Sequence, residues 1–149
     1  MKRFLGCIVL GLFVSDVEAD AIGRYMNIAN NIPKMEMKAD LDAQAWARSA
    51  RNILTLTSET VAESLTLANT TATQHGSPLF CLPAQTQLNA ADMDALIQQT
   101  YRTLSTPENE KNSMTVSQVA LLGVTQKYPC PLQSHAAENG SIRSMQALQ

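Results

Sequence analysis

Between Met35 and Gln74 the chain contains neither a glycine nor a proline. These residues most readily end a helix or force a turn, so their absence argues against a meander of short strands there and for helix. Aromatic residues make up only 5% of the chain, with one tryptophan, Trp46, so a core must come mainly from aliphatic side chains and alanine. Basic charge is not in excess. Eleven Lys and Arg stand against 13 Asp and Glu, with no basic patch, which excludes the electrostatic footprint of a nucleic-acid binder. His75 and His135 are the only histidines, and with the cysteines they fit no zinc-ligand spacing.

The one continuous apolar run, "FLGCIVLGLFV" at residues 4–14, is too short to cross a bilayer comfortably. It follows the basic start Met1-Lys2-Arg3 and precedes "SDVEADA", with Ala19 and Ala21 in the small-residue cleavage pattern. Residues 1–21 therefore read as a signal peptide cut after Ala21, with Ala19 as the alternative. Cys7 leaves with it, no membrane span is expected after processing, and the mature protein is expected in the periplasm. The remainder carries nine basic and ten acidic residues. It reads as one helical domain over residues 22–132 and a polar, flexible tail over residues 133–149.

Two cysteines remain, each near proline on both sides: Cys81 between Pro78 and Pro83, Cys130 between Pro129 and Pro131. In an oxidising compartment an even count reads as a disulfide, and two cysteines allow one connectivity. Closing a loop of about 50 residues stabilises a fold by roughly 4 kcal/mol in the chain-entropy account.

Helical spacing fills the rest. Leu41, Ala45, Trp46, Ala50, Ile53 and Leu54 read as one apolar stripe, continued by Val61, Leu65, Ala68 and Ala72. Whether this is one helix or two, the second capped at Thr57 or Ser58, is left open, and Pro33 is expected at or just before a helix start. Gly76 marks the end. Asn89 reads as the cap of a helix whose stripe is Met93, Leu96, Ile97, Thr100, Tyr101 and Leu104. Pro107 opens a short piece, and Ser113 or Thr115 caps a last helix with Val116, Val119, Ala120 and Gly123 on one face. Gly123 is expected where another backbone approaches. The fold class is all-α: a bundle of about four helices, with the Cys81–Cys130 bridge closing the open end of the C-terminal hairpin.

"PLFCLP" followed by "LNAADMDALIQQTYRTLSTPENEKNSMTVSQVALLGVTQKYPCP" resembles the Rap/Tai family of small exported proteins, over residues 79–131. Phe80-Cys81-Leu82-Pro83, Pro107 and Tyr128-Pro129-Cys130 carry the likeness. It implies a helical periplasmic scaffold and the role of an immunity protein of a type VI secretion system. Such scaffolds also resemble acid-stress chaperones with one disulfide across a helical core.

Catalytic chemistry finds no footing in the residue pattern. Glu59 and Glu63 sit one turn apart and could face a cleft, but a solvated helix face explains them more simply. His75 reads as a surface helix-end residue. Met26, Met35 and Met37 invite a Cu(I) site, yet without a wider cluster they read as packing. No metal or cofactor is called for. Trp46 is read as core, with a binding surface as the competing reading. Arg48 and Arg51 read as a solvated face, with pairing of Arg51 to a partner's acids as the competing reading, and Asn69 as a chance glycosylation match. The alanine-rich segment near Trp46 admits close approach of a second helix, so a homodimer stays open. The expected function is non-enzymatic binding of another protein, a toxin or effector in the immunity reading. The alternative is an accessory part of a conjugation or secretion apparatus, with Arg24–Met37 as its docking arm; a third is a periplasmic acid-stress chaperone.

Overall fold

Asp40, Asn89 and Thr115 set where three helices begin, because a short polar side chain can satisfy backbone N–H groups that have no partner in the first turn. Asp40 accepts from the N–H of Asp42 and of Ala43, and Asn89 from that of Asp92. Thr115 and Gln118 form a reciprocal capping box. The computed structural model describes residues 21–131. Among them are five helices: α1 Ile22–Glu36, α2 Leu41–Gln74, α3 Ala90–Thr103, α4 Glu108–Ser113 and α5 Val116–Lys127. No strand occurs among the described residues; an isolated bridge joins Ala21 to Thr115. The expected tail, His135, and the expected leader except Ala21 lie outside the described residues.

The long helix α2 is the spine. It is continuous through Thr57 and Ser58, so neither is a cap, and Ser58 is instead fully buried. α1 doubles back along it, α3 lies against it, and α5 packs on α3. Pro33 falls in the last turns of α1 rather than at a helix start. The helix expected from Met35 onward is interrupted by the turn through Met37–Asp40, where Asp40 restarts it. The segment Arg24–Met37, expected as a docking arm, is largely α1, with Tyr25, Met26 and Ile32 buried in the bundle.

The buried face of α2 is Ala43, Ala47, Ala50, Leu54, Ser58, Val61 and Leu65, each three or four residues from the next. This differs from the expected stripe. Leu41, Ala45, Trp46 and Ile53 face solvent, and burial fades after Leu65, leaving Ala68 exposed and Ala72 half-buried. The small alanines admit α1 and α3 to the spine. Bulk comes from elsewhere: Phe80, Ile22, Met93, Ile97, Val119 and Val124 are the large fully buried side chains. Burial of each stabilises the fold by roughly 1.5–3 kcal/mol. The stripe expected on α5 is buried, and that on α3 is buried at Met93, Leu96, Ile97 and Thr100 while Tyr101 and Leu104 are half-buried. Gly123 meets side chains of α3, Thr100 and Leu96, rather than a backbone.

The Cys81–Cys130 bridge is present, with Cα atoms 4.8 Å apart. Beside it the Cys81 N–H donates to the Tyr128 carbonyl at 2.9 Å. Together they tie the segment leading into α3 to the exit of α5 and close the hairpin.

Candidate functional site

α2 buries Leu54, Val61 and Leu65 along with its inward alanines, and leaves several other large apolar side chains outside. Trp46, Ile53, Leu56 and Leu67 are 41%, 54%, 64% and 70% exposed. On a helix turning 100° per residue they lie within about 80° of one another, and they span roughly 32 Å of its length. Ser49, Thr60 and Ser64 fall in the same sector between them, so the four form an interrupted apolar row rather than one continuous patch. The core reading of Trp46 is thereby overturned and the surface reading retained. The indole is wide and two-sided, and one edge stays available to a partner.

The charged candidates divide. Arg48, Glu59 and Glu63 are exposed on α2; by the same 100° turn Glu63 lies beside Leu56 and Leu67, Glu59 lies one turn on from Leu56, and Arg48 lies about 160° round the helix from Trp46, away from the row. Arg51 is exposed too, but its guanidinium is bound to the Glu36 carboxylate at the end of α1. That pair fixes the α1–α2 elbow and removes Arg51 from the set free to meet a partner.

The row ends in a groove. Leu67 and Glu63 of α2 face Leu82, Thr86 and Leu88 of the proline-flanked connection across a space of about 460 Å³. Two features hold that wall. Leu82 follows Cys81, which is covalently fixed to Cys130. Asn69 Oδ1 accepts from the N–H of Leu79 at 2.8 Å and of Phe80 at 3.1 Å, fastening the connection to α2. Asn69 therefore has a structural task, which its glycosylation pattern did not reveal. Between Pro83 and Thr86 the turn closes with a 3.0 Å bond and puts Gln85 at φ 66°, a conformation that favours glycine.

Sequence reasoning missed one polar network. The buried Tyr25 hydroxyl lies 2.7 Å from Ser58 Oγ and donates to Asp94 Oδ1 at 2.5 Å, joining α1, α2 and α3. Burial raises the Tyr25 phenol well above its ordinary value, and its bond to the Asp94 carboxylate adds to the rise. A lone Tyr, Ser and Asp at separations of 33 and 69 residues leave no local pattern to find.

The remaining candidates are dispersed. His75 is exposed at the end of α2, with Nδ1 2.8 Å from the Thr71 carbonyl oxygen. Met26 is buried and Met37 exposed, so the thioethers do not share one face. Among the described residues no three His, Cys, Asp or Glu side chains gather as a metal site, and no helix is long and apolar enough to cross a membrane. No protein-family model, no curated protein and no solved structure matches the chain.

Proposed function

We propose that the protein is exported to the periplasm and acts there, without enzymatic chemistry of its own, by binding another protein in the manner of an immunity protein. The observation that carries this reading is the row Trp46–Ile53–Leu56–Leu67 leading into the groove at Leu82 and Leu88. The occupant is a heterologous protein presenting a complementary apolar strip, with a basic or amide group toward Glu59 and Glu63. Apolar anchors with charged margins match the division between the buried centre and polar rim of specific interfaces. The resemblance over residues 79–131 and the signal-like start supply the compartment and the immunity role. The envelope-machine alternative is less favoured because Arg24–Met37, its docking arm, is largely α1 and turns Tyr25, Met26 and Ile32 into the bundle.

The test is co-purification from periplasm, comparing the native chain with Leu56→Asp. One small effector retained in stoichiometric amount by the native chain, and lost with Leu56→Asp at unchanged thermal stability, is the expected result. Equal retention by both chains would refute the docking face. Several envelope proteins retained in place of one effector would refute the immunity role.

A further inference from the structure

A second concavity lies on another side of the spine. The C-terminal half of α1, the middle of α2 and the start of α3 enclose a cleft of about 470 Å³, with Ile32, Leu54 and Ala91 among its apolar walls. Asp94 and Gln98 of α3 contribute a carboxylate and an amide, and Arg51 stands in the lining of the same cleft.

The carboxylate is held in place by neutral donors. Tyr25 O–H donates to Oδ1, and Gln98 Nε2 donates to Oδ1 at 2.9 Å and to Oδ2 at 3.0 Å. Neither nearby arginine is bonded to it. Arg51 is bound to Glu36, and Arg102 is bonded at 2.9 Å to Gln98 Oε1, one link short of the carboxylate. Asp94 is half-buried, so its charge is less screened than that of a surface acid. A fixed carboxylate with one acceptor site still unused, on Oδ2, at the side of an apolar cleft, matches a long side chain with an apolar stem and a cationic head.

We propose that this cleft receives a lysine or arginine side chain from the bound protein, its stem against Ile32 and Leu54 and its charged head on Asp94. The donor of that side chain rests on the protein-binding reading. The test does not need that protein, so the two readings fail separately: a failed titration sinks the cleft alone, and an unaffected Leu56→Asp complex sinks the docking face alone.

The experiment is a titration of the full mature chain with n-butylguanidinium chloride, followed by amide and side-chain NMR shifts, with n-pentanol as the uncharged control. Expected are saturable shifts at Tyr25, Asp94 and Gln98 that weaken at high salt. Asp94→Asn, which keeps an acceptor for the Tyr25 hydroxyl but removes the charge, is expected to lower the affinity by roughly tenfold or more, as for loss of a charged hydrogen bond. Ala91→Phe, which fills the mouth and leaves the carboxylate untouched, is expected to abolish the shifts and serves if Asp94→Asn does not fold. Absence of shifts in the native chain, equal shifts from n-pentanol, or native-like binding by a folded variant would overturn the proposal.

Discussion

Gly123 offers the sharpest test of how α3 and α5 pack. Replacing it with alanine adds one methyl group in a helix interior, which by propensity alone stabilises by about 1 kcal/mol. The site forbids that gain. A Cβ built on Gly123 lies 2.3 Å from Thr100 Oγ1 and 3.0 Å from Leu96 Cγ, both on buried residues of α3. Neither is the far end of a flexible side chain, so the helices must separate by several tenths of an ångström. Overpacking of this kind costs about 1–3 kcal/mol, which exceeds the propensity gain at all but the lower edge of the range. Gly123→Ala is therefore expected to lower stability by up to about 2 kcal/mol, a fall in Tm of up to roughly 12 °C for a domain of this size, instead of the rise that propensity alone would give. The assay is thermal and urea unfolding in parallel, with the disulfide intact. Thr100→Ala removes the closest atom, so the double variant should recover part of the loss, and the cycle should give a favourable coupling. A Gly123→Ala chain more stable than the native one, or a double variant whose losses simply add, would refute the close-approach argument.

Three further outcomes follow from the same geometry. Cys81→Ser should lose up to about 4 kcal/mol relative to the oxidised native chain and little relative to the reduced one, measured by urea unfolding with and without reductant; equal losses would deny the bridge its role. Tyr25→Phe leaves Ser58 and Asp94 without their shared partner and should cost about 1–3 kcal/mol at neutral pH. Because the phenol of Tyr25 is raised in the fold, its contribution is intact below the unfolded value of 10.0 and drains away as pH rises beyond it. The native chain should accordingly lose stability above pH 10 more steeply than Tyr25→Phe, and parallel curves would count against that assignment. Finally, Ile22 is fully buried and its N–H donates to Met114 O at 2.8 Å, while Ala21 O accepts from Arg24 N at 3.0 Å. A chain beginning at Ile22 puts an ammonium at that buried point and loses the Ala21 carbonyl, so a chain beginning at Asp20 should be more stable by about 1–3 kcal/mol in calorimetry.

The helical fold, the caps at Asn89 and Thr115, the stripes of α3 and α5 and the Cys81–Cys130 bridge were all legible in the residues. Each is a local signal: a polar residue before a periodic run, an apolar residue every three or four positions, a pair of cysteines. The facing of α2 was not legible, and the reason is physical. Its rows at Ala43–Ala47–Ala50–Leu54 and at Trp46–Ile53–Leu56 both have helical spacing, and periodicity alone cannot say which turns inward. The expected stripe mixed the two rows, joining Trp46 and Ile53 to Ala50 and Leu54; packing put Ala43, Ala47, Ala50 and Leu54 inside, where two neighbouring helices must come close. Met37–Asp40 was hidden for a related reason, since the elbow contains no glycine or proline and is marked only by the Asp40 cap. The network of Tyr25, Ser58 and Asp94 depends on three helices meeting and has no counterpart in any short window.

The arrangement of α2 bears on function through what it forgoes. A helix shaped for stability alone would place Trp46, Ile53 and Leu56 in the core, where each buried side chain contributes roughly 1.5–3 kcal/mol, and would leave alanines outside. Here alanines hold the inward face from Ala43 to Ala50 while Trp46, Ile53 and Leu56 stand outside, so apolar surface that could stabilise the monomer is left to water and to the risk of association. The chain recovers part of that loss by other means: a covalent clasp, two backbone bonds to Asn69, and a core concentrated on Phe80, Met93, Ile97, Val119 and Val124. Those same means hold Leu82 and Leu88 across from Leu67, at the end of the exposed row. Stabilising the C-terminal hairpin and shaping the groove are thus one structural act. The proline-flanked cysteines would then matter for docking as well as stability, because opening the bridge frees the wall against which a partner must seat.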